Sequence, residues 1–247
     1  MRMNKKMLAA AAILAVGILT GCGASGSGST ASSAVSSAPA SSAVPASSRA
    51  AEEGAIEPIN MLTWTLDDLD KTDTVTFISA GIVSGVQNGS LTANVFSYDL
   101  YKKEDIESLA VGDKITFHEE GAEQNQLATV EVKSIEKNDQ YGLVSINGGM
   151  EESGGLDLKP EDDDTYRTMT FDDYPVYYEM GEKTLPLAED VVLKDSSADP
   201  QDEAVETTGA AAVAAAINAD PDNWTVYNTT LVVQDGRVKE VRRIWVP

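Results

Sequence analysis

Apolar and polar residues alternate along most of the chain from about Ile56 onward, and turn residues interrupt the alternation at short intervals. The segments Thr74–Val86 and Leu91–Tyr101 flank Asn88-Gly89, a dipeptide that favours the type I′ turn of a two-residue β-hairpin. Glycines inside the first segment predict a bulge. A second hairpin is predicted around Asp235-Gly236, with a change of alternation near Glu240 that also indicates a bulge.

The rest of this region predicts further strands, a short helical turn at Glu104–Leu109 and one alanine-rich helix, Thr207–Asn218. We interpret the segment from Met150 to Asp173 as glycine-rich and acidic loops. Five further strands are predicted, at Lys114–His118, Leu127–Lys137, Tyr141–Gly148, Tyr174–Met180 and Asp190–Asp195. The predicted fold is mainly β, an antiparallel barrel-like or sandwich domain with one helix, and a subdivision near residue 160 stays open.

The first 22 residues have a different pattern. Residues 1–6 are basic, and Met7–Leu19 is an uncharged apolar run of about 20 Å as a helix, shorter than the roughly 30 Å hydrocarbon core of a bilayer. A basic segment, an apolar segment and small residues in this order are typical of a secretory signal peptide. We therefore predict a signal peptide at residues 1–21.

The residues Leu19-Thr20-Gly21-Cys22 end this run, and Cys22 is the only cysteine of the chain. This stretch resembles the lipobox of bacterial lipoproteins. The resemblance covers about 22 residues. It implies that Cys22 carries a diacylglyceryl group with acyl chains such as palmitate, and that a signal peptidase cleaves between Gly21 and Cys22. The mature protein would then be a lipid-anchored component of the cell envelope, facing the extracytoplasmic side of the bacterial cell membrane.

Serine, alanine, glycine and proline dominate the segment that follows Cys22. It lacks aromatic residues and cannot bury enough apolar surface to offset the entropy of ordering. We predict that residues 22–55 form a flexible tether and that residues 56–247 form the β-rich domain.

The chain is acidic, with a net charge of −22. After removal of residues 1–21 it would have 15 basic and 40 acidic residues, a net charge of −25. Such a surface repels nucleic acid and anionic lipid headgroups. The predicted partners are the membrane, through the anchor alone, and an unidentified extracytoplasmic ligand or protein.

Candidate catalytic and metal-binding residues are few. His118 is the sole histidine, so a zinc site of cysteines and histidines cannot form within one chain. Since the chain also lacks the G-x-S-x-G motif that positions a nucleophilic serine, we expect His118 to be a surface residue and predict no catalytic residue. Asp162, Asp163 and Asp164 form the acidic run that we name as a candidate calcium site.

Three functions fit these observations. The first is a non-enzymatic binding or interaction domain on a lipid anchor. The alternatives are a cell-envelope hydrolase that uses carboxylates and a module stabilised by calcium.

The lipobox resemblance predicts the outcome of one substitution. Cys22→Ala removes the thiol that would receive the lipid, so this variant should accumulate as an uncleaved precursor without lipid. Metabolic labelling with an acyl probe and the mass of the intact protein measure both effects. Lipid labelling of Cys22→Ala at the wild-type level would contradict the assignment.

Overall fold

The computed structural model describes residues 54–60, 64–199, 201 and 203–246. The predicted signal peptide, Gly21, Cys22 and nearly all of the tether lie outside these residues, so those predictions stay predictions. None of the described helices is both long and apolar enough to cross a membrane.

The described residues are mainly β, as the alternation predicted, and they contain two α-helices. In chain order the elements are β1 (Ala55–Ile56), β2 (Val75–Gln87), β3 (Ser90–Tyr98), β4 (Leu100–Lys102), α1 (Lys103–Ser108), β5 (Lys114–His118), β6 (Leu127–Glu131), β7 (Ile135–Asn138), β8 (Leu143–Ile146), β9 (Leu156–Pro160), β10 (Thr165–Met169), β11 (Tyr177–Ser196), β12 (Val205–Thr208), α2 (Ala210–Ala219), β13 (Thr229–Gln234) and β14 (Arg237–Ile244). Single 3-10 turns lie at Leu66–Asp70 and Pro221–Asn223.

Five strands close into a ring that we call barrel A. Its order is β2, β3, β11, β14 and β13, and β13 pairs with β2 again. All neighbours are antiparallel except β11 and β14, which are parallel. This strand order, with a helix between the third and fourth barrel strands, is that of the OB fold, an architecture that supports many functions.

Helix α2 packs against the core of barrel A. Its residues Val213 and Ile217 lie four positions apart, on one face, and both are fully buried. Burial of each side chain contributes about 1.5–3 kcal/mol. The helix is also fixed to β2, because the Asn218 amide accepts a hydrogen bond from Val86 N and donates one to Val86 O, at 2.7 and 3.0 Å.

The chain between β3 and β11 forms a second ring, barrel B, together with residues 55–60. Its strands form two sheets: β5 pairs with β6 in one, and β7, β8, β9, β10 and β4 are neighbours in that order in the other. The chain passes from β6 of the first sheet to β7 of the second at residues 132–134. Residues 55–60 complete the ring, since β1 pairs with β5 and Ile59 N donates to Leu100 O at 2.8 Å. Barrel B has a separate hydrophobic core, which includes Tyr101, Ile115 and Leu158.

Both predicted hairpins are confirmed. Asn88 and Gly89 have φ values of 52° and 78°, and Asp235 and Gly236 have 53° and 68°, as a type I′ turn requires. The β2 bulge lies between Ile82 and Val86, and at the β14 bulge Lys239, next to Glu240, has no paired residue on β13.

Several predicted boundaries are wrong. The predicted strand Leu127–Lys137 is two strands that turn at residues 132–134. The predicted strands Tyr174–Met180 and Asp190–Asp195 are not separate, because residues 177–180 and 190–195 both belong to β11. Strands β9 and β10 lie in the segment that we interpreted as loops. The helix begins at Ala210 because Thr207 and Thr208 pair with β11 and Gly209 has a φ of 96°. Pro160 ends β9 and pairs with Tyr166, and a subdivision near residue 160 stays a prediction.

Candidate ligand-binding site at the barrel junction

The two barrels meet where three strand ends converge. Asp99 lies between β3 and β4, His118 is the last residue of β5, and Tyr178 lies at the start of β11. The Asp99 carboxylate contacts His118 twice: Oδ2 accepts from the backbone N–H at 2.7 Å, and Oδ1 lies 2.8 Å from Nδ1. The Tyr178 ring stacks on the imidazole, with a centroid distance of 3.7 Å and an angle of 18°.

Hydrogen bonding accounts for both ring nitrogens of His118. Nε2 lies 3.0 Å from the backbone carbonyl of Gln124, which can only accept, so Nε2 carries a proton. Nδ1 lies 2.8 Å from Asp99 Oδ1, so each ring nitrogen has a hydrogen-bond partner. The expectation of a surface histidine is wrong, because His118 is 1% exposed.

Two tyrosines of β3 and β4 adjoin this pair. Tyr101 is fully buried and donates to Thr116 O at 2.9 Å. Burial, reinforced by the negative charge of Asp99, raises the pKa of Tyr101 well above its usual value. Burial and the neighbouring Glu161 raise the pKa of Tyr98 to about 12.

Next to the junction lies a groove of two adjoining cavities that share Glu120 and Met150. The inner cavity has a volume of about 300 Å³ and lies between the end of β5, residues 150–157 and β10. The outer cavity has a volume of about 470 Å³ and lies between residues 170–174, Tyr227 and Val246. Each volume is in the range of small-molecule sites.

The glycine-rich loop at residues 147–155 builds one wall of the inner cavity. Asn147, Gly148 and Gly149 all have positive φ values, between 54° and 90°. The Asn147 side chain bonds four backbone groups, those of Glu131, Lys133, Ser134 and Gly154. Asp157 accepts from Met150 N at 3.1 Å and from the Ser145 hydroxyl, so the loop is held at both ends.

Aromatic rings form a wall of the outer cavity. Tyr227 contacts Tyr174 and Tyr177 edge-on, at centroid distances of 5.2 and 5.8 Å. The Tyr227 hydroxyl donates to Glu120 Oε1 at 2.5 Å. This hydrogen bond, with burial as a second cause, raises the pKa of Tyr227 to about 12.

The charged residues that line the groove are acidic, apart from the paired His118. They are Glu119, Glu120, Glu152, Asp157 and Asp172, and no lysine or arginine of the described residues lines either cavity. Among the described residues, none of the five carboxylates forms a salt bridge. A cleft with one sign of charge concentrates ions of the opposite sign.

Thr168 of β10 lines the inner cavity and is 1% exposed. Its Oγ1 is buried and has no hydrogen-bond partner. An unsatisfied buried hydroxyl costs about 1–3 kcal/mol. The groove therefore combines hydrogen-bond acceptors, an aromatic wall and a buried hydroxyl without a hydrogen-bond partner, features that suit a ligand-binding site.

The candidate calcium residues lie elsewhere, in the turn between β9 and β10. Asp162 Oδ1 accepts from Asp164 N at 2.9 Å and from the Thr165 hydroxyl at 2.8 Å. The hydrogen bond from the Thr165 hydroxyl is the larger cause, and that from Asp164 N the smaller cause, of a lowered pKa at Asp162. The described residues hold no group of three or more side chains placed to bind a metal ion, and calcium binding stays a prediction.

Sequence reasoning missed the groove. Its residues come from separate parts of the chain, and only the glycines on either side of residues 150–153 were a visible signal, which we read as a loop without a role. No protein-family model matches the chain, and neither the curated proteins nor the solved structures contain a significant match.

The buried pair predicts a graded response at position 99. Asp99→Leu leaves Nδ1 and the backbone N–H of His118 without a partner, so the free energy of unfolding should fall by about 3–5 kcal/mol. Asp99→Asn should lose less free energy of unfolding, because an amide can accept from the backbone N–H of His118 and donate to its Nδ1. Urea unfolding measures both.

The control is Asp139→Leu at an exposed position, which should stay within about 0.5 kcal/mol of the wild type. An Asp99→Leu variant that loses less than about 1 kcal/mol would contradict a structural role for the pair.

Three tyrosines with raised pKa values predict a loss of stability in alkali. Because folding raises the pKa of Tyr98, Tyr101 and Tyr227, their contribution is complete below pH about 10 and is lost as pH rises through the folded values. The free energy of unfolding should therefore decline above pH about 10. The free energy of unfolding of Tyr101→Phe should be lower than that of the wild type at neutral pH, because the hydrogen bond to Thr116 is lost. It should decline less steeply in alkali, because one titrating hydroxyl has been removed. Equal slopes in urea titrations would contradict this account.

Proposed function

We propose that this protein is a membrane-anchored extracytoplasmic lipoprotein whose β domain binds a ligand without chemically converting it. The observation that carries the proposal is the groove beside the barrel junction, where a buried hydroxyl without a partner lines a small-molecule-sized cavity. The groove and its supports come from both barrels and from the loop that Asn147 holds.

The state of His118 supports binding rather than acid–base catalysis. A general base needs a free ring nitrogen within reach of the substrate, and both nitrogens of His118 are engaged in buried hydrogen bonds. Although His118 lines the inner cavity, its role in the fold explains its contacts. Carboxylate hydrolysis and calcium stabilisation stay predictions from the sequence.

The anchor and the tether support an extracytoplasmic binding role. A lipid on Cys22 would hold the chain at the membrane, and two acyl chains give stable anchoring where one does not. Residues 24–51 of the tether, as a coil of about 28 residues, would have an end-to-end distance of roughly 30 Å, enough to keep an acidic domain away from the headgroups. The groove would then be open to ligands of the cell envelope.

A thermal-shift screen tests the proposal on the full chain in detergent micelles, with intrinsic fluorescence as the signal. The probes are muropeptides, sugars, amines and short peptides. Ser153→Trp, at an exposed residue lining the inner cavity, fills the groove, and Ser108→Trp at the end of α1 is the matched control. A ligand at 100 times its Kd should stabilise the protein by about 2.7 kcal/mol.

The proposal predicts that at least one class of probe stabilises the wild type and Ser108→Trp but not Ser153→Trp. It is contradicted if no probe shifts the melting temperature, or if the shift is the same in Ser153→Trp.

A further inference from the structure

We propose that the ligand of the groove is an organic cation whose N–H groups enter the inner cavity while its apolar part lies in the outer cavity. This inference rests on the proposed function and specifies the class of ligand. It is carried by the charge of the lining, the aromatic wall and the hydroxyl of Thr168.

The charge of the lining selects the sign of the ligand. Glu119, Glu120, Glu152 and Asp157 line the inner cavity without a salt bridge to any described residue, and Asp172 lines the outer one. The acidic surface of the domain adds to this potential. An anionic ligand would meet repulsion from both sources.

Thr168 selects among cations. Its Oγ1 is buried without a partner and can accept a hydrogen bond. A protonated amine or a guanidinium donates several N–H bonds, which can reach a hydroxyl and a carboxylate together. A quaternary ammonium has no N–H and would leave Thr168 unsatisfied.

The outer cavity suits the apolar part of the ligand. Tyr174, Phe171 and Met150 line it, and Tyr227 holds Glu120 at the boundary between the two cavities. Aromatic faces also attract cations, by about 0.5–1 kcal/mol at exposed sites. The Tyr227–Glu120 hydrogen bond thus places a carboxylate where the charged and apolar parts of the ligand would join.

The experiment measures binding to the full chain in detergent micelles by calorimetry. The probe is 2-phenylethylamine, and its matched controls are neutral 2-phenylethanol, anionic 3-phenylpropanoate and the trimethylammonium analogue of the amine. A second probe is a peptide with blocked termini and one lysine beside a phenylalanine. It tests whether the groove binds the ammonium group of a peptide side chain or that of a small free amine. Binding by either amine supports the shared chemistry, and the tighter of the two identifies the source.

Two substitutions locate the cation. Thr168→Val should weaken amine binding about 10- to 100-fold, because it removes a hydrogen bond to a charged group, and Thr168→Ser should restore it. The melting temperature of free Thr168→Val should not fall, because the hydroxyl that it removes has no partner. A lower melting temperature would show that the hydroxyl has a structural role and would overturn its assignment to the ligand.

Glu152→Gln should also weaken binding and reduce its dependence on salt, whereas Glu104→Gln on α1 should change neither. The inference is overturned if 2-phenylethanol or 3-phenylpropanoate binds as tightly as the amine, or if neither the amine nor the peptide binds. In the last case, a different probe that stabilises the wild type but not Ser153→Trp would leave the proposed function intact.

Discussion

The contact between Asp99 and His118, with Tyr178 stacked on the imidazole, joins three segments that are far apart in the sequence. Asp99 lies at the point where the chain leaves barrel A, His118 ends a strand of barrel B, and Tyr178 stacks on the imidazole where the chain returns. Two buried ionisable groups cost several kcal/mol each in desolvation unless they satisfy one another. This pair does so, since the carboxylate accepts at both oxygens and each ring nitrogen has a partner.

The groove depends on the same junction. Thr168 N donates to Asp99 O at 3.4 Å, and the Thr168 side chain lines the inner cavity, so the residue that would meet a ligand is positioned by the residue that joins the barrels. His118 at the end of β5 and Val176, just before β11, also line this cavity. A change in the relative position of the barrels would therefore change the shape of the site. Rigid support of this kind favours binding, because less ordering is left to occur when the ligand enters.

Local chemistry made part of this structure predictable. Asn88-Gly89 and Asp235-Gly236 have the residues that positive φ values require, and Val213 and Ile217 mark the buried face of an alanine-rich helix. Strands β9 and β10 were missed because acidic residues surround their few apolar positions. The Asp99–His118 contact spans 19 residues, and the Tyr227–Glu120 contact spans 107, so neither leaves a pattern in the sequence. The predicted signal peptide and anchor rest on a short motif, which says nothing about a groove built from distant segments.

One buried histidine, with a hydrogen-bond partner at each ring nitrogen, joins the barrels beside the groove. Because His118 is the only histidine, its ring nitrogens can be observed without ambiguity by ¹⁵N–¹H NMR of the labelled protein at neutral pH. We predict a signal from the ring Nε2–H whose proton exchanges slowly with water, because this proton is bonded to Gln124 O and the His118 side chain is 1% exposed. A ring without an observable N–H signal, because its protons exchange rapidly with solvent, would contradict it.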